Sequence, residues 1–195
     1  GPDATAAVVA RLRDRKLADL PWTDAANGLR DRVAFLRASR NEGWPDWSTP
    51  ALVASVEEWL VPYLGLPTGF DRFYRLDLAS ILRGSLGHAL AAKLDALAPK
   101  EIQVPSGRRI RLDYSEGTPA ISVKVQEMYG TDATPEVAGQ PIVLHLLSPA
   151  NRPVQVTRDL GGFWRGSWSE VRKEMAGRYP KHEWPDDPAK AKPRR

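Results

Sequence analysis

Residues 141–188 read PIVLHLLSPANRPVQVTRDLGGFWRGSWSEVRKEMAGRYPKHEWPDDP, and this stretch predicts a β-hairpin followed by a helix. The run 141–147 is apolar and rich in branched side chains, which is typical of a buried strand. Residues 148–153 contain two prolines and an asparagine and therefore predict a turn. Valine alternates with polar side chains over 153–157, which indicates a second strand. The two strands are expected to pair with each other.

The helix after this hairpin is predicted from its ends and its periodicity. Ser167 and Glu170 have the spacing of a capping box, in which a hydroxyl and a carboxylate satisfy free backbone amides at the helix start. Gly177 favours a helix end, so the helix is expected to run from Trp168 to about Ala176. Its apolar stripe, at i, i+3 and i+7, consists of Trp168, Val171 and Met175.

Positive charge is concentrated at the C-terminal end of the chain. The net charge of the whole sequence is +4, yet residues 151–195 hold 11 Lys and Arg against 6 Asp and Glu. Cations bind phosphates, and flat aromatic side chains stack on unpaired bases. The candidate nucleic-acid-binding residues are Arg152, Arg158, Arg165, Arg172, Lys173, Arg178, Lys181, Trp164 and Tyr179. The alternatives are that these charges form a solvated face and that the aromatic rings pack in the core, as Trp168 is expected to do.

Composition excludes several classes of protein. The 195 residues are 42% hydrophobic and 27% charged, which is ordinary for a soluble globular protein. Without cysteine there are no disulfides, zinc–thiolate sites or thiol catalysis, which fits the cytoplasm. No run reaches the roughly 20 apolar residues that span a bilayer, so no membrane partner is expected. Gly1-Pro2 is typical of a cleaved expression tag, which predicts an excised fragment.

Residues 3–100 predict a helical module. Helical spacing of apolar residues is found over 4–18, 24–39, 50–61, 78–83 and 86–97. The expected N-caps are Thr23, Thr49 and Asp77, the second of them followed by a proline at the first helical position. The segment 64–70 contains two glycines and a proline and is expected to interrupt the helices.

Residues 101–188 predict an α+β module of order β-β-α-β-β-α. Alternating apolar residues indicate a hairpin over 101–114. Residues 118–129 are expected to form a short helix, although the β-branched run 121–125 favours a strand instead. Residues 131–140 are expected to form a loop, and 189–195 a basic disordered tail.

The sequence contains no motif for catalysis or for a bound cofactor. Both the G-x-x-x-x-G-K-[ST] phosphate loop and the G-x-G-x-x-G fingerprint are absent. The three histidines lack metal-ligand spacing, and His145, within an apolar strand, is expected to be a core residue. A magnesium site of a nuclease at Asp113, Glu116 and Glu127 is a weaker alternative. The arginines of the cluster, Arg108, Arg109 and Arg111, either protect an edge strand from aggregation or contact nucleic acid.

Several segments together resemble one protein family. The segment 146–188 contains the strings VTRDLGGFW, EVRKEM and RYPKHEWPDDP, and the last is long and unusual. This part of the chain resembles the C-terminal end of HrpB-type bacterial DEAH-box RNA helicases. The resemblance extends to VPSGRRIRLDYSEG (104–117) and VKVQEMYG (123–130), and more loosely to LPWTDAANGLRDRVAFLRA (20–38).

This resemblance implies an accessory region without its motor. In that family two RecA-like domains hydrolyse ATP, with ATP and magnesium bound there, and none of their motifs occurs in this sequence. The isolated chain is therefore expected to have no catalytic residues, cofactor or metal, and no ATPase activity. The expected partners are single-stranded RNA or DNA and the parent's own motor domains. The alternative is a protein–protein docking module without nucleic-acid contact; the oligomeric state is not predicted.

Overall fold

Helices and strands occupy different parts of the chain. The computed structural model describes residues 2–40, 42–65 and 70–195. Its internal contacts divide the chain into two units, residues 1–98 and 99–195. Gly1 of the predicted tag scar and residues 66–69 of the predicted helix interruption lie outside the described residues. The fold combines helices and strands, as the sequence predicted.

The first unit is helical among its described residues. Its α-helices are α1 (Pro2–Asp14), α2 (Asp24–Ser39), α3 (Thr49–Ala54), α4 (Val56–Trp59) and α5 (Leu78–Leu97), with 3-10 helices at Val61–Tyr63 and Phe70–Arg75. Most residues of the predicted stripes are buried, including Leu29, Val33, Leu36, Leu52, Val56 and Leu94, whereas Leu90 and Leu97 are half-buried. Burial of such stripes, rather than local propensity, supplies most of the stability of helices this short.

The helix starts confirm two predicted caps and correct a third. The side chains of Thr23 and Asp77 accept hydrogen bonds from backbone amides three residues on, at 3.1 Å in both cases. The start before Pro50 was predicted one residue late, since Ser48 and not Thr49 caps α3. Gly87, with φ of 79°, interrupts α5 near the start of the second of the two helices predicted there, 86–97.

A charged cluster fixes the end of the first unit. Arg32, only 4% exposed, donates to the carbonyl of Ala98 at 2.7 Å and to Asp95 at 3.0 Å. Asp95 also accepts from Arg83 at 3.1 Å. The hydrogen bond from Arg83, and then that from Arg32, lowers the pKa of Asp95 below its ordinary value. The buried guanidinium is thus both hydrogen-bonded and charge-compensated, as burial requires.

The second unit contains the strands. They are β1 (Glu101–Gln103), β2 (Arg109–Arg111), β3 (Ala120–Lys124), β4 (Glu136–Val137), β5 (Gln140–Pro141), β6 (Val143–Leu147) and β7 (Pro153–Thr157). The pairs β1–β2, β4–β5 and β6–β7 are antiparallel, whereas β3 pairs with β6 in parallel. The helices are α6 (Leu160–Arg165) and α7 (Trp168–Arg178), with 3-10 helices at Val125–Met128 and Pro188–Lys190.

Both predicted hairpins are confirmed, but the helix predicted over 118–129 is wrong. Its first half is strand β3, as the β-branched run had favoured, and only a 3-10 turn follows at Val125–Met128. Strand β3 gains its partner from β6, more than 20 residues further along the chain. Such a parallel pairing joins distant parts of the sequence. The spacing of a few apolar residues within 118–129 therefore could not reveal it.

The start of α7 also differs from the prediction. Ser167 has nearly helical backbone angles and makes no side-chain capping hydrogen bond, so the predicted capping box is wrong. The preceding helix α6, which was not predicted, leads almost directly into α7. Asp159 caps α6 by accepting from the amide of Gly162 at 2.9 Å. Helix α7 ends at Arg178, two residues beyond the predicted end.

An aromatic cluster forms the core around α6 and α7. Trp168 is 1% exposed, as predicted, and lies edge-on to Trp164, with the ring centroids 5.2 Å apart. Tyr129, Phe163 and Trp184 complete the cluster. Burial raises the pKa of the Tyr129 hydroxyl well above its ordinary value. Rings of this size supply much of the buried apolar area of a small domain.

The C-terminal residues differ from the predicted disordered tail. Pro188, the residue before this segment, is buried, and within the segment the amide of Arg194 donates to the carbonyl of Gln126 at 3.0 Å. The side chain of Arg194 also pairs with Glu183 at 2.9 Å. Gly130 has a φ of 96°, and a Cβ there would lie 3.2 Å from the carbonyl oxygen of Ala191. The tail is therefore packed against its own unit.

Candidate nucleic-acid interface

The two aromatic candidates are largely used by the fold. Trp164 is 8% exposed and donates its indole N–H to the carbonyl of Thr131 at 2.8 Å. Tyr179 is half-buried beside Trp184, and its hydroxyl lies 3.3 Å from that of Ser148. The core alternative therefore applies to Trp164, whose buried ring cannot stack on a base, whereas Tyr179 remains partly accessible.

Three of the cationic candidates are held by other groups of the same unit. Arg158 donates twice to the carbonyl of Pro141, at 3.1 and 2.8 Å. Arg172 donates to the carbonyl of Trp184 at 2.6 Å and pairs with Asp186 at 3.3 Å. Arg178 pairs with Glu174, one helical turn earlier. Arg172 is therefore a packing residue and not the solvated charge that the sequence suggested.

Four candidates remain available to a ligand. They are exposed, and within the described part of the chain their side chains form no hydrogen bond or ion pair: Arg152, Arg165, Lys173 and Lys181. Arg152 precedes β7, Arg165 ends α6, and Lys173 lies on the outward side of α7. They thus belong to different elements, and the fold does not gather the predicted residues on one helix.

The sequence reading missed an exposed sheet face in the same unit. Side chains alternate along a strand. On β3 and β6, Ser122 and His145 are exposed between buried neighbours, and Lys124 is half-buried. Ile121, Val123, Leu144 and Leu146 are buried, which leaves the other side of the sheet to solvent. His145 is exposed on that other side, so the expected core histidine is wrong. Alternation over 120–124 would have placed Ser122 and Lys124 together, had the segment been read as a strand.

The register places several exposed residues side by side. Ser122 is paired with His145, and His145 with Val156, which is 57% exposed. Asp113 and Ala120 exchange backbone hydrogen bonds of 2.8 and 2.9 Å, which joins the continuation of β2 to β3. In that antiparallel register Arg111 stands beside Ser122.

The pKa of Asp113 is consistent with this arrangement. Hydrogen bonds from Ser115 lower the pKa of Asp113, and attraction from His145 and Arg111 lowers it further. Arg111 and Lys124 form no salt bridge within the described residues, whereas their neighbour Arg109 pairs with Glu101 at 2.6 Å. The face therefore carries two cations without a salt bridge among the described residues, with the carboxylates of Asp113 and Glu101 beside Arg111.

The residues proposed for a nuclease metal site do not come together. Glu127 is 2% exposed and receives two hydrogen bonds from Arg108, at 2.8 and 2.9 Å. Its oxygens are committed to this ion pair, whereas Asp113 is exposed near the sheet face. Among the described residues no group of three or more His, Cys, Asp and Glu side chains is arranged to hold a metal ion. The described helices also include none long and apolar enough to cross a bilayer.

Comparison with known proteins identifies the family. A family model described as the C-terminal region of ATP-dependent helicases matches residues 59–188, more than half of the chain. This chain belongs to the HrpB helicase C-terminal family. The resemblance recognised in the sequence is thereby confirmed.

Two kinds of relative support this assignment. The ATP-dependent RNA helicase HrpB of Escherichia coli K12 is 44% identical over 188 residues, which cover 94% of this chain and 23% of that protein. The crystal structure of the E. coli DExH-box NTPase HrpB matches 95% of this chain with a TM-score of 0.88 and 42% identity. A second crystal structure, of the E. coli DEAH/RHA helicase HrpB, matches 90% with a TM-score of 0.74 and 39% identity. The chain spans only 23% of each of these solved chains.

Proposed function

We propose that this helicase C-terminal region binds single-stranded nucleic acid and guides it to or from the motor of an HrpB-type RNA helicase. The observation that carries the proposal is the match to a protein named an ATP-dependent RNA helicase, of which this chain covers 23%. The sequence lacks phosphate-loop motifs, so ATP and magnesium would be bound by motor domains elsewhere in the parent. The parent would couple ATP hydrolysis to RNA unwinding.

The charge of the second unit supports a nucleic-acid partner. The excess of basic residues lies after residue 150, and Arg152, Arg165, Lys173 and Lys181 are exposed without a partner among the described residues. Positively charged side chains that neutralise phosphates release condensed counterions, which makes affinity steeply salt-dependent. This dependence supplies the test.

The experiment measures binding of a labelled single-stranded RNA by fluorescence anisotropy at several salt concentrations. The logarithm of the affinity should fall linearly with the logarithm of the salt concentration. Replacing Arg165 and Lys173 by Gln should reduce the slope by about 1.4, since each phosphate contact on a single strand contributes about 0.7. Absence of binding by the unmodified chain at low salt would refute the proposal.

A docking role is the second candidate, and the outward side of α7 favours it. That side carries Glu170, Lys173, Glu174 and Arg178, with the last two paired to each other. Alternating charge of this kind suits a protein surface as well as solvent, and the region would then brace the motor domains. Binding to a separately purified motor, without RNA binding, would favour this role, and docking through these charges should weaken as salt is added.

A further inference from the structure

The open sheet face of the second unit offers a better platform for bases than the basic helix does. We infer that this face, formed by the continuation of β2 together with β3, β6 and β7, binds a short single-stranded segment of nucleic acid. Arg111 and Lys124 would contact phosphates, and His145 would stack on a base. This inference rests on the proposed function and specifies where the nucleic acid lies.

The geometry of the face suits an extended strand. Ser122, His145 and Val156 stand side by side on β3, β6 and β7. The bridge between Asp113 and Ala120 extends this row to Arg111, whose partner on β1 is Glu101. With adjacent strands about 4.8 Å apart, three steps make the row about 14 Å long. Exposed sheets of comparable width hold about two or three unstacked bases in known RNA-binding domains. A row of this length matches a few nucleotides.

Along the row, the side chains change from charged at one end to aromatic and apolar at the other. Arg111 lies at one end, and Lys124 is two residues from Ser122 on the same side of β3. The exposed ring of His145 and the exposed side chain of Val156 lie at the other end. A positively charged edge beside a stacking surface is the combination that proteins use to bind single strands. Two carboxylates lie beside this edge: Glu101, opposite Arg111 on β1, already pairs with Arg109, and Asp113 accepts a hydrogen bond from the amide of Ser115 at 2.8 Å.

Single strands are favoured over duplexes because of the ring. The face of a base can reach His145 only if the base is unpaired and turned out of a stack, whereas a duplex presents phosphates, 2′-hydroxyls and base edges. Exposed Val156 fits the same partner, since it can pack against the face or edge of a neighbouring base. A docked protein would also cover such a face, and the experiment below distinguishes that occupant.

The test compares three variants of the whole chain that each lose one arginine and one lysine. The sheet variant is Arg111→Gln with Lys124→Gln, and the helix variant is Arg165→Gln with Lys173→Gln. The matched control, Lys16→Gln with Arg75→Gln, removes two exposed cations of the first unit. Each is titrated, with a labelled oligouridylate of about ten nucleotides as the probe, over a range of salt concentrations.

In the sheet variant, the slope of the logarithm of the affinity against the logarithm of the salt concentration should fall by about 1.4. The control should bind as the unmodified chain does. His145→Ala should lower affinity about five-fold or more through lost stacking. His145→Tyr should retain it, a result that a purely structural role of the histidine would not give. Circular dichroism melts show whether each variant is folded.

The outcomes separate the two proposals. If the unmodified chain binds and the sheet and His145 variants bind equally well, the platform is refuted while nucleic-acid binding stands. If the unmodified chain does not bind the probe at all, both proposals fail, and a protein occupant of the face becomes the explanation. Loss of binding by the control to the same extent as by the sheet variant would also refute a specific platform.

Discussion

Helix α7 and the open sheet face carry three cations each, but the fold leaves them in different states. On α7, Arg172 and Arg178 are paired and only Lys173 is free within the described residues. On the sheet face, Arg109 is paired, whereas Arg111 and Lys124 form no salt bridge there. A count of basic residues along the sequence therefore overstates what α7 can offer to a ligand and understates what the sheet can.

The difference follows from the geometry of the two elements. Residues four apart lie on the same side of a helix, so Arg172 stands above the buried Trp168 and reaches the backbone of the segment that covers it. Trp168 itself donates to the carbonyl of Pro185 at 2.9 Å, and Arg172 to that of Trp184. In a strand, alternate residues point away from the core whatever their neighbours do. Outward cations on a sheet thus stay free unless a cross-strand acid pairs with them.

Removal of the Trp168 ring should give the largest effect on stability. The ring is 1% exposed and touches four other aromatic residues, so Trp168→Ala should lower the free energy of unfolding by about 3–5 kcal/mol. Urea denaturation followed by circular dichroism measures the change. A loss below about 1 kcal/mol would mean that α7 is not packed through this ring.

Removal of a paired cation should cost more than removal of a free one on the same hairpin. Arg108→Ala would leave the carboxylate of Glu127, which is 2% exposed, without its bidentate partner. We expect a loss of about 3 kcal/mol. Arg111→Ala, the matched control, should cost less than about 0.5 kcal/mol. Equal losses in urea denaturation would contradict the distinction between paired and free arginines.

The smallest expected difference lies within α7 itself. Arg172→Ala leaves the carbonyl of Trp184 without its donor and should lower stability by about 1–3 kcal/mol. Its neighbour Lys173 is exposed and unpaired within the described residues, so Lys173→Ala should change stability by less than about 0.5 kcal/mol. The same denaturation measurement checks both variants. A reversed order would mean that the covering segment does not depend on Arg172.

Local pattern predicted most elements but few of their partners. The hairpins, the caps at Thr23 and Asp77 and the burial of Trp168 follow from interactions within a few residues, which periodicity and capping rules describe. The candidate site was harder to predict. Whether a cation is free depends on groups that are far apart in the sequence. Arg158, for example, donates to the carbonyl of Pro141, and the two residues become neighbours only when the chain folds.

The sequence by itself determined the family, the mixed fold class and the basic character of the C-terminal end, because all three reside in residue identity and short-range order. Only the tertiary structure decided that 120–124 is a strand, since its parallel partner lies in β6. That one pairing leaves Ser122 and His145 exposed and Lys124 half-buried on the open face. Pairing between strands that are distant in the sequence decides which side chains are free, and local sequence patterns do not reveal that pairing.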